Sequence, residues 1–213
     1  VHVDLILPMK PPRIGKSRLR GAPDYPTGDD EHAELVLALA CDTVAAATSA
    51  AGVRRVLVVA SDPAAVEALR EYGAEIIREP RVTGLNAALR HGESVLRRAD
   101  PASVVGALQA DLPALRAEDL AAALAEAGGR RAFTADRQGT GTTLLLSAPA
   151  APLDPRFGVG SAFAHTESGA RPLELSAESL RSDVDTPGDL AHARTLGLGE
   201  RTSAVLGEHC LTL

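Results

Sequence analysis

Aromatic side chains are nearly missing from this chain: three Phe, two Tyr and no Trp make up 2% of its 213 residues. Proteins that hold single-stranded nucleic acid by stacking its bases need a platform of rings, and there is no material for one here. The core must instead be aliphatic, built from the abundant Ala, Leu and Val. Net positive charge is missing too. At -6 the chain lacks the broad cationic surface on which nonspecific nucleic-acid binding depends. There are only two cysteines, Cys41 in an apolar helical run and Cys210 in the tail. Neither has the spacing of a metal ligand, so both are expected to be reduced thiols of a cytosolic protein. No run of 18 or more apolar residues occurs, and no charged region followed by an apolar core and cleavage site opens the chain, so a cytoplasmic protein without a membrane anchor is expected. Two phosphate-binding fingerprints are absent. Without G-x-G-x-x-G after the first apolar run a dinucleotide oxidoreductase loses its best evidence, and without G-x-x-x-x-G-K-[ST] so does a P-loop NTPase.

What is present begins at Val3. Residues 3–7 form an aliphatic run interrupted only by Asp4, the pattern of a strand buried on both faces of a parallel sheet. Pro8, Pro11 and Pro12 stop it. Lys10, Arg13, Lys16 and Arg18 follow within nine residues, with Gly15 and Ser17 between them. Arg supplies a planar fork and Lys a mobile point charge, a combination suited to a polyphosphate. Cations alone would read equally well as a solvated loop, but this loop leaves the carboxyl end of a strand, where open α/β sheets bind ligands.

The rest of the chain alternates. A helix capped near Asp29-Asp30 runs to Ser49, a strand covers 55–60, and Ser61-Asp62-Pro63 starts a helix that Gly73 closes. Strands follow at 74–78, 103–109 and 131–135, separated by helices from Gly84 to Arg98 and from Ala117 to Ala127. This rhythm implies one α/β domain over residues 1–213, a three-layer, Rossmann-like doubly wound and mostly parallel sheet. After Asp136 the rhythm breaks. Strands are expected at 142–147, 172–175 and 181–184, with a helix of about ten residues opening at Phe157-Gly158-Val159-Gly160-Ser161 and another at Thr186-Pro187. The C-terminal part should add antiparallel strands and a lid at the sheet's edge. The sequence does not place the residues after Gly199.

Asp111 stands where the fourth strand ends, so its carboxylate should face the rim that carries the basic loop. Asp183 and Asp185, two apart, share a face if the backbone is extended. Three carboxylates converging on phosphate-binding cations is an arrangement that retains Mg²⁺. Taken singly, Asp111 reads as well as a turn residue and Asp185 as a helix cap. The start of the helix at Gly158–Ser161 offers backbone N–H groups to a carboxylate or phosphate, or is simply capped by Ser161. Asn86 either faces a nucleoside or caps its helix. None of the six histidines, His165 included, has a partner at diagnostic spacing.

The ordered set Leu7-Pro8-Met9-Lys10, Lys16-Ser17-Arg18-Leu19, Ala110-Asp111-Leu112-Pro113, Gly141-Thr142-Thr143, Phe157-Gly158-Val159-Gly160-Ser161 and Asp183-Val184-Asp185-Thr186-Pro187 resembles the 2-phospholactate/phosphoenolpyruvate guanylyltransferases of deazaflavin coenzyme F-420 biosynthesis. The wider superfamily includes the molybdenum-cofactor guanylyltransferases, whose glycine-rich first loop is replaced here by a proline and lysine version. The resemblance implies a fold like that of nucleotide-diphospho-sugar transferases and transfer of GMP from GTP to a three-carbon phosphoacid, releasing pyrophosphate. It implies Mg²⁺, as two ions, held by Asp111, Asp183 and Asp185. It places Lys10, Lys16 and Arg18 on the GTP phosphates, Asn86 on the nucleoside side, and Thr143, Gly158 and Ser161 on the phosphoacid. Lys16, Arg18 and Asp111 would carry the catalysis. The alanine- and arginine-rich composition is typical of high-GC bacterial genomes, whose versions of this family are expected to take phosphoenolpyruvate over 2-phospho-L-lactate, and no residue separates either from 3-phosphoglycerate. Partners are expected to be small molecules, not nucleic acid or membrane, for a monomer or homodimer. A molybdenum-cofactor or sugar-phosphate nucleotidyltransferase, and a nucleotide-binding regulatory module without turnover, remain as alternatives.

Overall fold

The computed structural model describes residues 2–20, 28–80 and 84–207; Cys210, expected as a free thiol, lies outside them. A single sheet of seven strands organises the molecule: β1 Val3–Met9, β2 Val53–Ala60, β3 Glu75–Arg78, β4 Val104–Leu108, β5 Ala132–Ala135, β6 Thr142–Leu146 and β7 Arg171–Pro172, in the order β3-β2-β1-β4-β6-β5-β7. β1 runs parallel to β2 and β4, and β2 parallel to β3. Only β6 is reversed, antiparallel to both β4 and β5. The expected mixed sheet is therefore present, but its reversed strand is internal and the edge strand β7 runs parallel to β5.

Strand alternation sorts the aliphatic residues onto two faces. Leu5, Leu7, Val56, Val58, Leu144 and Leu146 face α1 (Asp29–Ser49), α3 (Ala117–Ala127) and the one-turn α5 (Glu178–Arg181), while Ile6, Leu57, Val59, Ala107 and Leu145 face α2 (Leu85–Ala99) and α4 (Ser161–Glu167). This makes three layers with the central strands buried on both sides. A third apolar group joins Leu19 of the basic loop to Leu35 and Leu39 of α1 and to Val184 and Leu190, the last in α6 (Pro187–Leu196). Leu19 is fully buried, so the loop is pinned at its far end.

Several local expectations change. Gly28, not Asp29 or Asp30, caps α1, and Glu31 accepts its N–H at 3.3 Å. Residues Ala64–Tyr72 wind as a 3-10 helix. The buried pair there, Val66 and Leu69, is three apart, the spacing a three-residue turn stacks in line. The strand expected at 181–184 is absent, because Arg181 ends α5 and residues 182–184 run on without sheet partners. α4 has seven residues rather than ten, and the strand expected at 172–175 shrinks to the exposed pair Arg171–Pro172. A further helix, α7 at Glu200–Val205, is held by Asp42, whose carboxylate accepts the N–H groups of Arg201 and Thr202 at 3.0 and 2.8 Å.

Candidate active site

A cleft of about 1000 Å³ opens at the carboxyl ends of β1 and β4. Its cationic wall comes from the basic loop, through Lys10, Lys16 and Arg18; its anionic wall comes from Asp111, Asp183 and Asp185, joined by Asp136. Topology makes this meeting, since β1 and β4 are neighbours and deliver both loops to one rim. Leu112 N–H donates to the Thr43 hydroxyl of α1 at 2.9 Å, and Val184 N–H donates to the Asp111 carbonyl at 3.0 Å, so the Asp183–Asp185 segment is tied directly to Asp111. Val184 is fully buried between two aspartates that line the cleft. The shared face expected of Asp183 and Asp185 is therefore realised without a strand.

The cations of the loop divide by partner. Arg13 pairs with Asp30 and Arg20 with Asp29, both at the start of α1. Lys16 takes the left-handed backbone at φ 55°, ψ 37°, and its ammonium bridges Asp111 and Asp185. The carbonyl of Gly15, one residue before, lies 2.7 Å from His32 Nε2. Lys10 and Arg18 are exposed and form no ion pair among the described residues.

Negative charge is in excess at this corner. Asp111 Oδ1 is buried without a hydrogen-bond partner among the described residues. Burial raises the Asp183 carboxyl to about 6; Lys16 opposes the shift, and the charges of Asp185 and Asp136 add to it. Oxygen ligands of this kind suit a hard divalent ion, and the position between Asp111 and Asp185 is held by the ammonium of Lys16. Among the described residues no three His, Cys, Asp or Glu side chains are gathered as a metal site; the Lys16 ammonium holds Asp111 and Asp185 instead.

A further part of the cleft is lined by the turn from Asp136 to Gly141 and by the Phe157–Ser161 segment. Asp136 accepts the N–H groups of Thr140 and Gly141 at 2.8 Å each. Gly158 and Gly160 sit at φ 146° and 72°, where a side chain would be strained. Of the backbone N–H groups here, that of Ser161 goes to Gly158 O and that of Ala162 to Thr140 O, both at 3.1 Å, while those of Gly158, Val159 and Gly160 have no acceptor among the described residues. They and the Ser161 hydroxyl remain for a ligand. Asn86 does not line the cleft; its amide donates to Phe157 O and accepts from Phe157 N–H, both at 2.9 Å. Thr143 does not line it either. It is the unpaired residue of a bulge, with Thr134 opposite Leu144 and Ala135 opposite Thr142, and its buried hydroxyl points to Thr134 O at 3.4 Å. The bulge aims its neighbour Thr142, to which the sequence assigns no role, at α4. The i to i+4 spacing of Ser161 and His165 was the available signal, and it needs the position of β6 to be read.

The family described as "Guanylyl transferase CofC like" matches residues 3–208. A protein of Thermomonospora curvata named phosphoenolpyruvate guanylyltransferase is 47% identical over 203 residues, covering 94% of this chain and 87% of the relative. One of the same name from Streptomyces coelicolor is 48% identical, with 94% of each chain covered. Among solved structures, a protein of Desulfovibrio desulfuricans G20 assigned as a nucleotide-diphospho-sugar transferase superposes with a TM-score of 0.71 at 17% identity, over 96% of this chain and 94% of its own. A 4-diphosphocytidyl-2C-methyl-D-erythritol synthase of Anaerococcus prevotii does so at 0.54 and 14%, over 91% and 95%. These two establish the fold. With a match over almost its whole length and relatives at nearly half identity, the chain belongs to the CofC-like guanylyl transferase family, enzymes that work on a nucleoside triphosphate.

Proposed function

We propose that this enzyme transfers GMP from GTP to phosphoenolpyruvate and releases pyrophosphate, the guanylylation step of deazaflavin coenzyme biosynthesis. The observation that carries the reading is one cleft with two unpaired cations, Lys10 and Arg18, on one wall and a surplus of carboxylates on the other. That is the charge pattern of a triphosphate chelated to a metal. Asp111, Asp183 and Asp185 would hold Mg²⁺, and Lys16, released from Asp111 and Asp185, joins Lys10 and Arg18 on the phosphates. The ion would supply charge neutralisation for the triphosphate and the departing pyrophosphate.

On the other side, Gly158 and Ser161 receive the phosphoacid while Thr143 supports the wall from inside β6. Asn86 fixes the Phe157 turn with one amide hydrogen and keeps the second for the nucleoside side. A phosphate oxygen of the acceptor attacks the α-phosphorus of GTP; the new P–O bond forms as the bond to the β-phosphate oxygen breaks. The nucleophile is already ionised and needs no general base, so positioning and charge neutralisation suffice.

The test is pyrophosphate release measured with GTP, ATP, CTP and UTP, each against phosphoenolpyruvate, 2-phospho-L-lactate and 3-phosphoglycerate. GTP with phosphoenolpyruvate should turn over fastest, and only with a divalent ion. Full rate in excess chelator would sink the metal assignment. A clear preference for phospholactate would move the acceptor and leave guanylyl transfer standing.

A further inference from the structure

His165 is the most enclosed polar group near the cleft that the reaction above does not use. It is fully buried, and two of the chain's three Phe surround it, Phe157 edge-on at 5.0 Å and Phe133 tilted at 5.9 Å between ring centroids. A protein so short of aromatics spends most of its phenylalanine on one imidazole.

The ring's protonation follows from its neighbours. Nε2 lies 3.0 Å from the backbone N–H of Arg156, and an amide N–H can only donate, so Nε2 is an acceptor and carries no proton. The ring is then neutral, with its hydrogen on Nδ1, and Nδ1 donates to Thr142 Oγ1 at 2.9 Å. Burial, helped by the Arg131 charge, lowers the His165 pKa to about 4 and keeps that state through neutral pH. Thr142 Oγ1, accepting from His165, has its own hydrogen to place, and the one further partner among the described residues is Ser161 Oγ at 3.1 Å. Between two hydroxyls either oxygen can donate; with Thr142 donating, its hydrogen is placed, Ser161 Oγ accepts, and the Ser161 hydrogen is left for the cleft that Ser161 lines.

The geometry points to a one-way hydrogen-bond relay, Arg156 N–H to His165 to Thr142 to Ser161, that fixes the Ser161 hydroxyl as a donor for an ionised carboxylate or phosphate oxygen of the acceptor. His165 is thus a positioning residue, and it confers selectivity for anions by arranging in advance which way a hydroxyl points. This rests on the reading that places the phosphoacid against Ser161.

Two measurements decide it. In protein labelled with ¹⁵N-histidine, His165 should resonate as the neutral Nδ1–H tautomer between pH 6 and 8; the Nε2–H tautomer or a charged ring would overturn the relay whatever the variants do. In kinetics with GTP and phosphoenolpyruvate, Ser161→Ala, Thr142→Val and His165→Gln should each raise the acceptor KM about tenfold, the loss of one hydrogen bond to a charged group, with the GTP KM unchanged. Thr142→Ser and His165→Asn, which keep the donor in place, should recover most of it, and Thr142→Val should add little to Ser161→Ala. Additive effects, or a Thr142→Val that spares the acceptor KM while Ser161→Ala raises it, would remove the relay and leave the acceptor site intact. A Ser161→Ala enzyme with unchanged acceptor KM would remove both.

Discussion

β1 carries a cluster of opposite charges at each end, and the two are built to different standards. At its amino end Asp4 is fully buried and both carboxylate oxygens have donors: Arg54 Nε at 2.8 Å on Oδ1, Arg54 Nη2 at 2.6 Å and Ser103 Oγ at 2.7 Å on Oδ2. Burial raises the Asp4 pKa, but those hydrogen bonds outweigh it and leave the carboxyl below its usual value. At the carboxyl end one ammonium, Lys16, is shared by two carboxylates, Asp111 Oδ1 has no partner among the described residues, and Asp183 is pushed up to about 6. Completion at one end serves the fold. At the other end the described residues leave the carboxylates short of positive charge, and that is what a site for a metal-bound triphosphate requires.

The sharpest way to break this comparison is to neutralise one acid at each end. Asp111→Asn should cut turnover by on the order of 10²- to 10³-fold, the loss of a metal ligand, while the melting temperature holds or rises because a crowded negative charge is gone. A stability loss with wild-type turnover would make Asp111 a structural residue of the Asp4 kind. At the other end, Asp4→Ala should cost about 3 kcal/mol of unfolding free energy, the low end for breaking a buried pair because Arg54 is half-exposed and keeps Asp100. Its KM values should not move. A denaturant titration beside a pyrophosphate-release assay reads both variants.

The same contrast explains what the sequence disclosed. The parallel half was legible because strands buried on both faces read as uninterrupted Val, Leu and Ile runs, bounded by residues such as Gly73 that end elements for local reasons. The meeting of Lys16 and Asp111 at one rim was legible because strand ends in an open sheet face the same way. After Asp136 the elements are set by tertiary contacts instead. Residues 181–184 look like a strand, yet the neighbour they find is the Asp111 carbonyl, through Val184. The bulge that separates Thr142 from Thr143 depends on β5 lying alongside, so the roles of adjacent threonines could not be told apart, and His165 could not be joined to Ser161. Nothing local reveals that the Asn86 amide reaches Phe157, 71 residues on.

Acid separates the structural groups by pH. His165 has a folded pKa near 4, below the 6.5 of a free imidazole, so the unfolded chain binds its proton first. The stability it contributes is complete above pH 6.5 and falls as pH drops toward 4, by at most about 1.4 kcal/mol per unit. Asp4, with its pKa lowered from 3.8, keeps its contribution through that window and loses it only below. Asp183, raised to about 6 in the folded state, works the other way and gains stability as pH falls from 6 toward 3.8, so the His165 loss is read as a difference: between pH 6.5 and 4 the unfolding free energy of His165→Asn relative to wild type should rise as pH falls. A difference that stays flat across that window would mean that folding does not hold His165 neutral.

The smallest effect tests which of Arg54's two acids anchors the amino-end cluster. Asp100 pairs with Arg54 Nη1 at 2.8 Å, but its side chain is 37% exposed where that of Asp4 is 0%. Solvent already screens it, and holding two flexible side chains together offsets most of the remaining attraction, so Asp100→Ala should cost less than about 1 kcal/mol. Asp100 also accepts the Ala102 N–H at 3.1 Å, so the control is Asp100→Asn, which keeps an acceptor for that turn and removes only the charge. If burial and full hydrogen bonding make the Asp4 end structural, Asp100→Asn should be near neutral and should change little when combined with Asp4→Ala. A cost for Asp100→Asn as large as that of Asp4→Ala would mean that charge balance, and not the completed shell around Asp4, stabilises the amino end of β1, and the contrast with the cleft would then lie in the number of charges alone.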